Sequence, residues 1–381
     1  MNKKLLAAAI AGEFIAPAAM ADDSAVVITG QIHMSVDSLN SGGSDTATTN
    51  ARSTYIGSHA SNITFKGTED LGNGLSAFWQ LQTYVGFGKT GNTDTTFGAT
   101  GGTVGDGNSF AGLSSKAAGA VQLGKFDYPV KMVGRKLDLF NNQIGDTRNL
   151  LSGAGAAETC TTTNTKGCGS ATGYEQRPNN SVQYSSPSFN GFQAQLAWRA
   201  PEGTAGTAKA SMTGLGATYT NGPLFVGAGW ESHDIGLASG TPTTALGKEK
   251  DWRLGAGYAF GPAKIVALYD RKIDLGGTSG NNRNTWSLGG AFNITSNNVI
   301  KAQYTKAGDT GSVADTGASM YSIGFDHLLS KRTTVYAAYS ATNNKTNAKY
   351  SAYKGGHDDG GLGTVTNKDP NAFSVGMIHN F

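Results

Sequence analysis

The last ten residues, AFSVGMIHNF, alternate between apolar and small or polar side chains almost without error. Successive side chains of a β-strand point to opposite faces of the sheet, so this alternation predicts a strand with one apolar and one polar face. The apolar parity consists of Phe373, Val375, Met377, His379 and Phe381. The same pattern recurs along most of the chain, which is therefore predicted to be built from two-faced strands.

Sixteen segments show this alternation, and the links between them are alternately long and short. Gly and Asn occupy short links such as DLGNG at 70–74, which is typical of hairpin turns. An even strand number, with short turns on one side and long loops on the other, is typical of a membrane barrel, in which closure leaves no unpaired edge in lipid. The sequence predicts an all-β fold, a 16-stranded antiparallel transmembrane β-barrel. The predicted strands cover residues 26–39, 62–69, 75–85, 109–114, 120–125, 180–185, 191–200, 212–220, 224–232, 250–260, 264–272, 284–294, 299–306, 319–328, 333–341 and 372–381.

The composition fits a barrel better than a soluble globule. Gly accounts for 55 residues, hydrophobic residues for 38% and the mean hydropathy is −0.29, which is little apolar material for a soluble core of this size. A water-filled barrel needs an apolar band only on its outer face, because its lumen is polar. The alternative, a soluble two-sheet sandwich, also places aromatic side chains on one strand face. A net charge of +3 with dispersed Lys and Arg argues against nucleic acid as a partner.

The amino terminus has the three parts of a secretory signal peptide. Lys3 and Lys4 form a basic start, an apolar stretch follows over 5–15, and Ala19 and Ala21 form a small-x-small cleavage site. The apolar stretch is well short of the ~20 residues that a membrane-spanning helix needs. We expect residues 1–21 to be removed on export and residues 22–381 to form the barrel.

The aromatic residues favour the same arrangement. All Trp residues, and several Tyr residues near strand ends, share the parity of the apolar residues in their strands. Rings at both boundaries between water and lipid are typical of outer-membrane barrels. The residues concerned are Trp79, Trp198, Trp230, Trp252 and Trp286, with Tyr219, Tyr304, Tyr321 and Tyr339.

Three segments carry a specific resemblance to a known family: NITFKGTEDLGNGLSAFWQLQ at 62–82, RPNNSVQYSSPSFNGFQAQLAW at 177–198 and LSKRTTVYAAY at 329–339. With the signal peptide and the terminal Phe381, the chain resembles the general trimeric porins of Gram-negative outer membranes, of the beta-proteobacterial type, over essentially its whole length. The resemblance implies a homotrimer in outer-membrane lipid and lipopolysaccharide, and passive diffusion of small hydrophilic solutes and ions. It also implies that the third external loop, residues 126–179, folds inward and constricts the lumen.

The polar parity places several basic side chains on the lumen wall. A charge facing lipid at mid-depth costs about 2–4 kcal/mol, so these side chains are expected to face water. A basic wall raises the local concentration of anions. Alternatively, some of these residues lie near strand ends and contact only solvent or lipid head groups. The predicted basic wall is Lys66, Lys125, Arg199, Arg253 and Lys301.

Two of these positions bear on selectivity. Lys125 joins the basic wall through the resemblance, at a position where relatives often carry Arg, and Asn62 stands where relatives often carry another Arg. Lys lacks the planar fork of Arg. We therefore expect only a weak preference for anions.

The loop at 126–179 carries both acidic and basic residues. The resemblance implies that its acidic residues face the basic wall and produce a transverse field across the constriction. Asp138 and Asp146 lie nearest the middle of the loop and, with Asp127, are the predicted acidic residues of the constriction. Alternatively, they are ordinary charges of a solvated loop. Connections of this length are usually either functional or disordered.

The same loop contains the two Cys residues of the chain, Cys160 and Cys168. In an exported protein they are expected to form a disulfide that restrains the loop. No cluster of His or acidic residues accompanies them, so a metal site is not expected.

Three other functions remain open. A substrate-specific channel for a sugar, an organic acid or a phosphate would have aromatic or saturable sites in the lumen, for which Phe78, Tyr128, Tyr174 and Phe225 are candidates. An outer-membrane hydrolase needs a nucleophile beside a His, and none stands out beside the six His, so no catalytic residue or cofactor is predicted. An adhesin would use surface loops such as 342–371, a role compatible with a porin.

Overall fold

A computed structural model describes residues 26–45, 51–86, 89–90, 93–94, 104–151, 173–201, 211–235, 247–355 and 362–381. Within these residues the main sheet closes into an antiparallel barrel of sixteen strands, which confirms the predicted fold class. The strands are β1 (Val27–Asn40), β2 (Arg52–Ser58 and Asn62–Gly72), β3 (Leu75–Tyr84), β4 (Ser109–Ser115), β5 (Gly119–Lys125), β6 (Ser181–Ser185), β7 (Phe192–Arg199), β8 (Met212–Asn221), β9 (Leu224–Ile235), β10 (Gly247–Phe260), β11 (Ala263–Ile273), β12 (Arg283–Asn293), β13 (Asn298–Ala307), β14 (Ala318–Leu328), β15 (Thr333–Asn344) and β16 (Asn371–Asn380). A small hairpin of Lys89–Thr90 with Thr93–Asp94 lies outside this sheet. The predicted signal peptide, residues 1–21, lies outside the described residues.

The second strand begins earlier than the alternation predicted. It starts at Arg52 rather than Asn62, and its two segments pair with the two halves of β1. Between them, Ala60 has a positive φ of 53°. Ile56 and Phe65 have opposite parity, yet both lie opposite outward-facing residues of β1. The prediction was wrong here because the alternation restarts with reversed parity after the interruption.

The first and last strands close the barrel. The pairing of β1 with β16 runs from Gln31 opposite Asn380 to Asn40 opposite Asn371. Beyond this ladder, Gly30 N donates to Phe381 O at 3.0 Å and Phe381 N donates to Gly30 O at 3.1 Å. A Cβ at Gly30 would lie 2.5 Å from the Phe381 ring, so only Gly allows this approach. Closure satisfies the backbone of both end strands in lipid.

The two faces of the barrel wall differ as the alternation predicts. The outer face carries exposed apolar side chains, among them Trp79, Trp198, Trp286 and Trp252, the last of which is 48% exposed. Trp230 is half-buried and packs on Trp252, with ring centroids 6.0 Å apart. The inner face carries Ser, Thr, Gln and charged side chains. The predicted side of the Trp residues is confirmed, and the outer surface is apolar as contact with lipid requires.

The described helices lie in the connections between strands. They are α1 (Pro129–Lys136), α2 (Arg148–Leu151) and two short 3₁₀ helices, Gly173–Glu175 and Leu275–Gly277. Helix α1 has Pro at its start, where the first N–H has no partner in the helix, and ends with Arg135 and Lys136, whose charges favour a helix carboxyl terminus. None of the helices in the described ranges has the length and apolarity to cross a membrane.

Candidate functional site

One long connection folds into the lumen and divides the inner wall into two regions. This constriction loop joins β5 to β6 and is described over residues 126–151 and 173–180. Its helix α1 packs on β8, β9 and β10, and its helix α2 packs on β13 and β14. We name the inner faces of β9–β14 the covered wall and the inner faces of β2–β5 the open wall. β3 and β11 lie half the barrel apart in the strand order, so the two walls face each other.

A small apolar core holds α1 against the covered wall. The wall carries Gly229 where the helix approaches, and a Cβ there would lie 2.9 Å from Val130 Cα. Val133 of the helix and Leu137, which directly follows it, are buried in one cluster with Phe225 of β9. Burial of side chains of this size contributes about 1.5–3 kcal/mol each relative to exposure. The inward fold of the loop is therefore stabilised by apolar packing as well as by polar contacts.

Arg253 of β10 lies at the centre of the polar contacts between the loop and the covered wall. It is 0% exposed, and its Nε donates to Asp270 Oδ2 at 2.9 Å. Its Nη1 donates to Glu175 Oε1 at 2.5 Å and to Val130 O at 3.1 Å. Glu231 of β9 accepts the N–H of Val130 at 2.9 Å. The outgoing limb of the loop at Val130 and the returning limb at Glu175 are thus bound by the same wall.

Opposite charges alternate across β10 and β11 beneath the loop. Lys272 Nζ lies 3.1 Å from Asp251 Oδ2 and 3.0 Å from Asp270 Oδ1. The strand register produces this pattern, because Arg253 is opposite Asp270 and Asp251 is opposite Lys272. Sequence analysis named Arg253 and missed Asp270 and Lys272. The signal was present as opposite charges of inward parity on two successive strands, and neighbouring cross-strand pairs interact.

The middle of the loop is bonded to β13. Leu139 N donates to Gln303 Oε1 at 2.8 Å. Lys301, predicted for the basic wall, donates from Nζ to Gln143 Oε1 at 2.9 Å and lies 2.9 Å from Asp326 Oδ2. Lys301 therefore faces inward, but its charge is paired and nearly buried under the loop.

Two acidic residues predicted for the constriction are paired with basic residues of the loop. Asp127 Oδ1 lies 2.8 Å from Lys131 Nζ and 2.7 Å from Arg177 Nε. Burial alone would raise the pKa of Asp127, but the charges of Arg177 and Lys131 hold it well below its usual range. Asp146 pairs with Arg148 at 2.5 Å, and although burial opposes this, Arg148 lowers the pKa of Asp146. Both carboxylates are charged and neutralised by close partners.

Asp138, the third acidic residue, is held differently. Its carboxylate accepts the N–H groups of Phe140 and Thr147, each at 2.8 Å. Burial and the neighbouring charge of Asp146 raise the pKa of Asp138 to about 8. Most of this carboxyl group is therefore uncharged at pH 7.

The other predicted basic residues have three different surroundings. Lys66 is half-buried on the open wall, opposite Gln80, and no ion pair among the described residues includes it. Arg199 is half-buried at the end of β7, with Nη1 3.7 Å from Met212 Sδ. Lys125 has the parity of exposed outer-face residues of β5, and Gly124 before it has a φ of 143°. Lys125 also lies close enough to Asp106 and Arg177 for their charges to act on it, so parity alone does not describe its surroundings. Its place in the basic wall stays a prediction.

The last turn of α1 adds basic residues that sequence analysis did not assign to the pore. Arg135 and Lys136 are half-buried at the end of the helix. Lys136 lies close enough to Lys264 of β11 for the two positive charges to interact. The end of α1 therefore brings a positive charge close to that of Lys264 on the covered wall.

The four aromatic residues considered for solute contact are divided between the walls. Tyr128, Tyr174 and Phe225 are buried between the loop and the barrel, and Tyr174 stacks on His233 with ring centroids 4.2 Å apart. Phe78 is half-buried on the inner face of β3. Among the four, Phe78 alone lies on the open wall.

The predicted disulfide of Cys160 and Cys168 lies outside the described residues and stays a prediction. In the part of the chain that the structure describes, no group of three or more His, Cys, Asp or Glu residues is placed to hold a metal ion.

Residues 6–347 match the family described as Gram-negative porin, which is most of the chain. The chain belongs to this porin family. Outer membrane porin protein 32 of Delftia acidovorans is 29% identical over 337 residues, which are 85% of this chain and 86% of the relative. An outer membrane porin protein of Bordetella pertussis is 26% identical over 398 residues, which are 90% of this chain and 95% of the relative.

A solved structure is similar over nearly the whole barrel. The anion-selective porin from Comamonas acidovorans superposes with a TM-score of 0.73 at 25% identity, covering 94% of this chain and 99% of the other. The porin described here is thus an integral protein of the outer membrane, and its barrel is a channel for passive diffusion.

Proposed function

We propose that this porin passes small hydrophilic solutes and ions with a weak preference for anions. The observation that carries the proposal is that the negative charges of the loop's acidic residues are neutralised within the loop. Asp127 and Asp146 are paired with basic residues, and burial beside Asp146 raises the pKa of Asp138 to about 8. Basic side chains at Lys66 and Arg199 lie half-buried on the inner face of the barrel. The passage between them is therefore positive.

A positive passage favours anions because a confined lumen focuses the field of its charges. The Comamonas acidovorans structure is described as anion-selective, which agrees with this proposal. The preference is weak because two predicted wall cations are neutralised: Arg253 by Asp270 and Glu175, and Lys301 by Asp326. In this proposal Arg253 and Lys301 position the loop, while Lys66 and Arg199 act on the solute.

The reversal potential of single channels in a planar bilayer with a KCl gradient tests the proposal. At pH 7 we expect the chloride permeability to exceed that of potassium by about two- to threefold. Lys66→Gln should lower this ratio, and Lys331→Gln, in an exposed short turn, serves as the matched control. A clear preference for potassium in the unchanged protein would contradict the proposal.

We further propose that the mature protein is a homotrimer that begins at Asp22 and contacts lipopolysaccharide, as the resemblance to trimeric porins implies. The mass of the detergent-solubilised assembly and the intact mass of the chain measure the first two properties. A monomeric assembly, or a chain that retains residues 1–21, would contradict the corresponding part. Intact mass before and after reduction also tests the disulfide of Cys160 and Cys168.

A further inference from the structure

Two aromatic rings and one cation share the inner face of the open wall. Phe78 of β3 and Phe110 of β4 have ring centroids 6.1 Å apart and planes inclined by 72°. Lys66 of β2 is opposite Gln80 of β3, which is in turn opposite Phe110. Diagonal cross-strand neighbours lie about 7–8 Å apart, so one small solute can reach a ring and the ammonium group together.

A glycine gives the first ring a flat support. Gly112 of β4 is opposite Phe78, and a Cβ at Gly112 would lie 2.7 Å from Phe78 Cζ. The ring therefore lies over the bare backbone of the next strand. Aromatic rings that cover a strand glycine stabilise a sheet. The contact of the Phe78 ring with Gly112 is explained by this role. Phe78 is half-buried, so part of the ring remains accessible on this inner face.

The rings continue toward the root of the constriction loop. Phe110 lies 6.5 Å from Phe126, and Phe126 stacks on Tyr128 at 5.8 Å between ring centroids. Phe126 and Tyr128 are buried, whereas Phe78 and Phe110 are half-buried. The accessible part of this aromatic row lies toward the short-turn end of the barrel, which in porins is the periplasmic end.

We propose that Lys66, Phe78 and Phe110 form a subsite for small aromatic carboxylates such as benzoate. The flat solute ring packs on the phenyl rings in an edge-to-face or offset arrangement, and its carboxylate accepts a charge-assisted hydrogen bond from the Lys66 ammonium. Sugars lack the negative charge and aliphatic acids lack the flat ring, so neither uses both parts of the subsite. The subsite adds a preferred class of solute to the proposed anion preference. It rests on that preference because the solute enters the lumen as an anion.

Block of the chloride current by added carboxylates tests the subsite. Sodium benzoate is compared with sodium cyclohexanecarboxylate, which has the same charge and a similar size but no aromatic face. For the unchanged porin, benzoate should halve the single-channel current at a concentration about three- to tenfold lower, which corresponds to the energy of one aromatic pair. Equal half-blocking concentrations would overturn the subsite.

Variants on the two faces of β3 sharpen the test. Phe78→Leu should raise the half-blocking concentration of benzoate to that of cyclohexanecarboxylate, and Phe110→Leu is the second variant should the first fail to fold. Trp79→Leu changes a neighbouring ring on the outer face and should leave the block unchanged. Lys66→Gln should weaken the block by both carboxylates. A benzoate block that survives both Phe variants would refute the proposal.

The KCl reversal potential, measured in the same membranes, separates this inference from the proposed function. A channel without chloride preference that still distinguishes benzoate from cyclohexanecarboxylate would contradict the proposed function and support the subsite. A chloride-preferring channel that blocks equally with both compounds would support the proposed function and overturn the subsite.

Discussion

The covered wall and the open wall are made of similar strands, yet their inward charges behave differently. On the covered wall, Arg253, Asp270 and Lys272 are buried and bonded to one another or to the constriction loop. On the open wall, Lys66 and Gln80 are half-buried. An inward-facing charge is therefore a pore charge only where the loop leaves it uncovered.

The path of the loop follows the positions where the wall lacks side chains. Glycines on the inner faces of β8, β9, β10 and β12 lie directly beneath it, and a Cβ at any of them would press on a loop residue. The loop residues that these Cβ atoms would approach most closely are Pro129, Val130, Leu137 and Leu139. The residues concerned are Gly214, Gly216, Gly229, Gly255 and Gly289. These positions together form a shallow groove for the loop.

The largest expected difference between the walls is in stability. Arg253→Met leaves Glu175 buried without its cation and removes one of the two cations beside Asp270, which keeps Lys272. Breaking a buried pair in this way costs about 3–5 kcal/mol in the free energy of unfolding. Lys66→Met makes the same change on the open wall and should stay within about 0.5 kcal/mol of the unchanged porin. Urea titration of the refolded protein, followed by Trp fluorescence, measures both. Equal losses would remove the energetic distinction between the walls.

A smaller loss is expected where the loop backbone meets the covered wall. Gln303→Leu removes the acceptor of the partly buried Leu139 N–H. An unpaired buried donor costs about 1–3 kcal/mol, and we expect the lower end of this range here. Gln122→Leu on the open wall is the matched change, with an expected effect within about 0.5 kcal/mol. The open-channel current noise should rise in Gln303→Leu only, because the middle of its loop is less firmly held. Identical noise in both variants would argue against attachment through Gln303.

Charge reversal on the open wall should act on selectivity rather than stability. Lys66→Glu should lower the ratio of chloride to potassium permeability about two- to fivefold, since the charge lies in the passage. Lys331→Glu reverses a charge in an exposed turn and should leave the ratio nearly unchanged. Reversal potentials in a KCl gradient measure both. A response of equal size in the two variants would mean that Lys66 does not border the passage.

The smallest expected effect is a pH dependence of selectivity. An acid with a pKa near 8 is mostly neutral below that pH and negative above it, so Asp138 should add negative charge to the loop as pH rises from 7 to 9. The preference for chloride should therefore decline over this range. Asp138→Asn should flatten the decline, and reversal potentials at both pH values measure it. A chloride preference that rises with pH would contradict the raised pKa.

The raised pKa of Asp138 also determines the direction in which the free energy of unfolding changes with pH. The folded porin binds the Asp138 proton more tightly than the unfolded chain, whose pKa is near the usual 3.8. The stability contributed by this proton is present at acid pH and is lost as pH rises from about 4 to 8. Urea titrations of the unchanged porin and of Asp138→Asn across this range would separate the contribution from that of other groups.

Most of the fold could be predicted because alternation is a local property of each strand. The predicted strands each correspond to an observed one, and the outward side of the Trp residues follows from parity alone. The prediction failed at Arg52–Ser58, where the interruption around Ala60 reverses parity and short-range periodicity carries no information across it. Parity also could not reveal the surroundings of Lys125, which follows a Gly of unusual backbone conformation.

The sequence by itself determined a two-faced, closed sheet, because lipid outside and water inside select one side-chain parity in every strand. It also placed Lys66, Arg253 and Lys301 on the inner side. Only the tertiary structure decided which of these charges borders the passage. That choice depends on contacts between residues far apart in the chain, such as Val130 with Glu231 and Gln143 with Lys301. The path of the constriction loop brings them together, and no local pattern of side chains encodes that path.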